Sequence, residues 1–151
     1  MERTKPMADT SRINVARVTM GGALAGIVHF AVTGVVNGVV LSAQLQDWLR
    51  GTGALLHPPA PAISMSLWGL MSLTYGLVGV WTYAAMRPRF GAGPKTALLA
   101  GVSVWIVSKL AVAFDLSALG IVPVEIVVGQ SIGGLIAVVL GVLLGAWIYR
   151  E

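Results

Sequence analysis

Residues 121–149 read IVPVEIVVGQSIGGLIAVVLGVLLGAWIY, a stretch of 29 residues in which Glu125 is the one charge. A helix of that length, rising 1.5 Å per residue, exceeds the ~30 Å hydrocarbon core of a bilayer, for which about 20 apolar residues suffice. Three shorter runs of the same character precede it, at 18–41, 64–86 and 97–114. Unpaired backbone amides and carbonyls are not tolerated in lipid, and none of the runs alternates as a barrel strand would, so each is predicted to be an α-helix. The fold class expected is therefore all-α, a polytopic membrane protein. Composition agrees, because 56% hydrophobic and 11% charged residues with a mean hydropathy of +0.84 lie far from a soluble domain.

The cations sort by connection. Arg3, Lys5, Arg12 and Arg17 precede the first run, Arg87, Arg89 and Lys95 separate the second from the third, and Arg150 follows the fourth. The alternate connections hold only Arg50. By the positive-inside rule both termini are expected in the cytoplasm, with residues 1–17 as a basic cytoplasmic segment and 18–151 as one transmembrane domain. The same rule, with anionic inner-leaflet lipid as the partner, accounts for a pI near 10.0, so nucleic acid is not an expected partner. The first run is longer than a signal-peptide core and lacks a small-residue cleavage pattern at its end, and is read as a retained helix.

There is no cysteine, which excludes thiol–disulfide exchange, thiolate metal sites and covalent haem attachment. The loop at 42–63 divides into one or two turns of interfacial helix, with Ala43, Leu45, Trp48 and Leu49 opposed to Gln44, Gln46, Asp47 and Arg50, and an extended Pro-rich strut at 57–61. Gly51 and Gly53 are expected to end that helix.

Helices associate in lipid through close packing, so small residues at intervals of three and four mark contact faces. Gly22 and Gly26, Gly76 and Gly79, Gly101, and Gly134, Gly141 and Gly145 supply such a face in every run. Short connections then predict an up-down-up-down four-helix bundle. Second series at Gly34 and Gly38, and at Gly129 and Gly133, leave small faces over for contacts with other chains.

Chemistry in the membrane would fall to the polar residues. His29, Thr33 and Asn37, spaced by four, form one stripe whose bland role is interhelical hydrogen bonding and whose functional role would be a solute or proton path. Lys109 is costly inside a span unless paired or able to reach water. Glu125 is the expected partner across the last hairpin, with Asp115 a second candidate and Gln130 nearby. At 100° per residue Lys109 lies about 120° from the small-residue face of its helix, beside Trp105, an arrangement suited to snorkelling. Collected by depth, Asn37, Ser66, Ser72, Lys109, Asp115, Glu125 and Gln130 fall in the outer half, where any cavity is expected to open. His57 lies outside the membrane, so bis-histidine haem ligation is not expected, and no cofactor is. The tryptophans read first as interfacial anchors. The basic turn containing Arg87, Arg89 and Lys95 sets topology and contacts lipid, and lacks the Gly-Lys-Ser/Thr ending of a phosphate loop.

That turn, with Asn37-Gly38-Val39-Val40-Leu41 and the closing Gly145-Ala146-Trp147-Ile148-Tyr149-Arg150-Glu151, resembles a group of small bacterial four-span proteins known as hypothetical integral membrane proteins. The resemblance implies a bacterial inner membrane and carries no activity with it. The leading expectation is a structural or accessory subunit, in a homo-oligomer or a larger membrane complex, packing through its glycine faces. The alternative is a transporter or channel for a small polar or anionic solute that uses Lys109, Glu125 and the His29 stripe. No acid, base and nucleophile converge in the sequence, so an enzyme is not expected.

Overall fold

The computed structural model describes residues 13–53, 55 and 59–149, so Arg3, Lys5, Arg12, His57 and Arg150 lie outside the described residues. Among the described residues every regular element is helical. Four helices are long and apolar enough to cross a membrane: α1 (Val15–Val40), α3 (Pro61–Phe90), α4 (Pro94–Leu119) and α5 (Val124–Ile148). A shorter α2 (Ser42–Thr52) follows α1 directly.

Local signals explain the ends. The Asn14 side chain accepts the Arg17 amide at 3.1 Å and caps α1. Pro61 and Pro94 occupy first-turn positions, where a missing N–H costs nothing. Gly91 at φ 81° and Gly120 at φ 63° end α3 and α4 in conformations that L side chains resist. These caps shift the expected spans. Helix α3 starts three residues before 64, so Pro61 belongs to the helix and not to an extended strut, and α4 continues five residues beyond 114. The interfacial helix is likewise longer than one or two turns, because Gly51 sits within α2 and does not end it.

Helix α1 packs against α3 and α5, and α4 closes the ring against α3 and α5. Helices α1 and α4 do not touch, so α3 and α5 meet across the short diagonal. In each pair the contacts run in opposite chain directions: Gly22 meets Leu77 while Gly26 meets Leu73, and Gly21 meets Gly145 while Gly133 meets Val36. All eight glycines expected to pack helices are buried within the single chain. A methyl group on Gly76 would overlap the Gly22 carbonyl and the Gly26 amide. One on Gly141 would lie 2.7 Å from the Ala25 carbonyl oxygen, and one on Gly145 2.6 Å from that of Gly21. Gly79 receives the Val142 side chain, Gly101 backs onto Val139, and Gly134 receives the stem of Lys109.

The bundle is tight at one end and open at the other. At the Arg87 end the buried Tyr83 and Tyr149 rings meet edge to face at 6.1 Å, with the Arg87 guanidinium 5.7 Å from the Tyr149 ring. Their hydroxyls accept the Gly93 and Asn14 amides. At the opposite end α3 has no buried residue before Ser72, and the backbone of residues 106–119 of α4 packs on α5 but approaches neither α1 nor α3.

If backbone contact through glycine holds the tight end, Gly76→Ala lowers stability by about 1–3 kcal/mol, since overpacking has only backbone to push against. Gly34→Ala, where a methyl would meet nothing within 4 Å, is neutral or stabilising by up to about 1 kcal/mol. Unfolding titrations in mixed detergent micelles measure both.

Candidate functional site

Where the tight end gives way to the open one, four side chains from three helices converge. His29 of α1 is 1% exposed, and its Nδ1 shares a hydrogen bond of 2.9 Å with Ser72 Oγ of α3. The His29 ring lies against Tyr75 with centroids 4.9 Å apart. On the other side, Lys109 of α4 places its Nζ 4.7 Å from the centre of the Tyr75 ring. The space beside His29, walled by Ala25, Gly76, Val138, Gly141 and Val142, has no room for a water molecule. His29 Nε2 is buried there without a hydrogen-bond partner.

Lys109 stands elsewhere than helical arithmetic puts it. It lies in a π-helical turn, Ile106–Leu110, where a count of 100° per residue no longer holds. The side chain crosses from α4 over Gly134 towards Tyr75, with Cγ 3.3 Å from where a Gly134 methyl would be. Lys109 is ten residues before Leu119, about 15 Å from that end of α4, whereas Glu125 is the second residue of α5. That difference in depth overturns the expected pair: Glu125 is exposed, and no ion pair joins Lys109 to it or to Asp115. The pair that does form, Arg50 with Asp47 at 3.0 Å, is exposed on α2.

The stripe on α1 divides into separate bonds. Thr33 Oγ1 donates to the His29 carbonyl at 2.8 Å and Asn37 Nδ2 to the Thr33 carbonyl at 2.9 Å, both within the helix. Besides His29, Asn37 reaches another span, accepting from Gln130 Nε2 at 3.0 Å, and it does so from a second π-helical turn, Val36–Val40. A continuous ladder of side chains is thus not formed. Comparison with protein-family models, with curated proteins and with solved structures returned no match.

Two tryptophans bind where anchoring was expected. Trp105 Nε1 donates to the Ser131 carbonyl at 2.9 Å and ties α4 to α5 one turn from Lys109. Trp48 Nε1 donates to the Ile121 carbonyl at 3.2 Å and holds α2 beside the link between α4 and α5. Of the basic turn, Arg89 and Lys95 are exposed. Among the described residues no three His, Asp or Glu side chains group as metal ligands. Tyr75 was the residue missed from sequence. Its cue was position: it is the fifteenth residue of the 30-residue α3, far from either interface, where an aromatic hydroxyl is not an anchor.

Ser72→Ala leaves the second His29 nitrogen unpaired and lowers stability by about 1–2 kcal/mol. His29→Leu with Ser72→Ala loses less than the two single changes added together. A double-mutant cycle on unfolding in detergent decides between coupled and independent residues.

Proposed function

We propose that this chain is a multi-pass protein of a bacterial inner membrane that binds a ligand carrying hydrogen-bond-accepting or anionic oxygen at Lys109, as a transporter or carrier does. One observation carries the reading: an amine about 15 Å inside a span, with no carboxylate partner, aimed at an open seam between helices. A charge at the centre of a helix costs about 2.5–3.5 kcal/mol on insertion scales. One cation–π contact returns about 0.5–2 kcal/mol, so the balance is met by water or by a ligand at the amine. Polar groups in spans that are not needed for packing mark such sites.

The chain crosses the bilayer up-down-up-down with both termini in the cytoplasm. Arg17, Arg87, Arg89 and Lys95 gather at the tight end, and Arg50 lies at the open one, which supports this orientation. The seam then faces the outer half of the membrane.

A second reading, a structural or accessory subunit, rests on a different observation. The eight buried glycines serve the single chain, but a methyl group on Gly34 or Gly38, on the outer half of α1, would meet nothing within 4 Å, and the backbone there is open to another chain. On that reading Gly34→Leu with Gly38→Leu releases a single chain from a homo-oligomer or a larger complex, as seen by native mass spectrometry.

Lys109→Met separates the two. It removes an unpaired charge, so stability holds or rises, while a small molecule co-purifying with the wild type is lost from the native mass spectrum; Glu125→Gln keeps it. Retention of that molecule in Lys109→Met ends the binding proposal. Orientation is tested on the naturally cysteine-free chain: Gln46→Cys is labelled by an impermeant maleimide applied outside, and Ala92→Cys only after the membrane is opened.

A further inference from the structure

We infer that the ligand of the Lys109 site is dissolved in the membrane and has an uncharged carbonyl head, in the class of the prenyl quinones, and that it enters sideways between α3 and α4. This narrows the binding reading above and rests on it.

An opening lies between these two helices. The backbones of α3 and α4 pack together through Pro94–Trp105, but from Ile106 outward the α4 backbone no longer approaches α3. Residues 61–71 of α3 are without a buried member, and so are residues 111–119 of α4. The Lys109 side chain is what crosses this seam at its base, ending on the Tyr75 ring.

The walls of the seam are apolar. Trp68 and Met71 on this part of α3 and Val112 on α4 are exposed apolar side chains. Asp115 falls six residues from Lys109, on a different face of α4. A dissolved anion reaching the amine from outside would follow this largely apolar wall for about 15 Å. A charged lipid head drawn down from the surface would lose its hydration over the same distance. An uncharged carbonyl head carries little hydration to lose, and its carrier already resides in the hydrocarbon.

The base of the seam selects the head group. A lysine ammonium offers three donors and no acceptor, so the ligand must bring acceptors. A hydrogen bond from a cation to a carbonyl oxygen is stronger than a neutral one, and more so where water is excluded. Tyr75 and Trp68 add flat faces for a planar head, and the tail continues along Met71 and Leu116 towards the outer leaflet.

The experiment uses the full chain in nanodiscs, with decylubiquinone as the probe and tryptophan fluorescence as the readout. Saturable quenching is expected, weakened at least tenfold in Lys109→Met, largely restored in Lys109→Arg, and unaffected by Arg89→Gln, with equal thermal unfolding confirming that each variant folds. Val112→Trp, which narrows the seam and leaves Lys109 in place, is expected to weaken binding as well. Competition by phosphate or benzoate at millimolar concentration would overturn lateral entry and the uncharged head but leave the Lys109 binding reading standing. The same holds if phosphatidylglycerol, and not the quinone, is retained through Lys109. Quenching equal in wild type and Lys109→Met, or absent from both, would overturn the inference; loss of every co-purifying ligand dependence on Lys109 would overturn the binding reading too.

Discussion

Backbone against backbone is the contact on which this structure depends. Helix α1 lies between α3 and α5 so closely that Gly22 and Gly26 abut Gly76 on one side, while Gly21 and Ala25 abut Gly145 and Gly141 on the other. In lipid there is no hydrophobic gain from bringing apolar helices together, so the attraction comes from dispersion between surfaces that can approach without side chains between them. Glycine on both partners is the shortest approach available. The α1 backbone is closest to α3 and α5 at these glycines, while α5 stays buried along its length, from Ile126 to Ala146.

The other half follows from the first. Helices pinned closely at one end open at the other: α3 has no buried residue before Ser72, and a methyl group on Gly69, Gly34 or Gly38 would meet nothing within 4 Å. Two π-helical turns occur, one ending α1 and one midway along α4, each carrying a polar residue that reaches across to a neighbour: Asn37 to Gln130, and Lys109 to Tyr75. A π turn adds a residue to a helix and redirects the side chains around it, and such turns recur at functional positions. The turn in α4 brings the stem of Lys109 over Gly134.

Much of this was legible in the sequence, and the failures have physical causes. Four apolar runs and eight packing glycines can be read because they obey a fixed period and a single energetic rule. The Lys109–Glu125 pair failed because the ends of α4 and α5 are set by Gly120 and Pro123, which lengthen one helix and delay the other. The facing of Lys109 failed because periodic counting assumes an unbroken helix. In the His29 stripe, Thr33 and Asn37 turn to carbonyls of their own helix, the nearest unsaturated acceptors to a short polar side chain in lipid. No pattern in the sequence announces that choice.

The two nitrogenous side chains at the centre of the bundle stand in opposite situations, and the contrast bears on function. His29 is enclosed by apolar residues with one nitrogen satisfied by Ser72, so its removal or retention is a matter of packing and one hydrogen bond. Lys109 is neither enclosed nor satisfied: its stem is held by Gly134, its end rests on Tyr75, and the seam beside it is not closed by any other helix. A lysine serving only to hold α4 to α3 would be replaced at lower cost by methionine, which fits the same path over Gly134 and loses no charge to lipid. The small gap left by Gly134 accommodates a long stem, and a long stem ending in an amine is useful where something must be reached. The position therefore makes better sense as a contact to a molecule from outside the chain than as a strut within it.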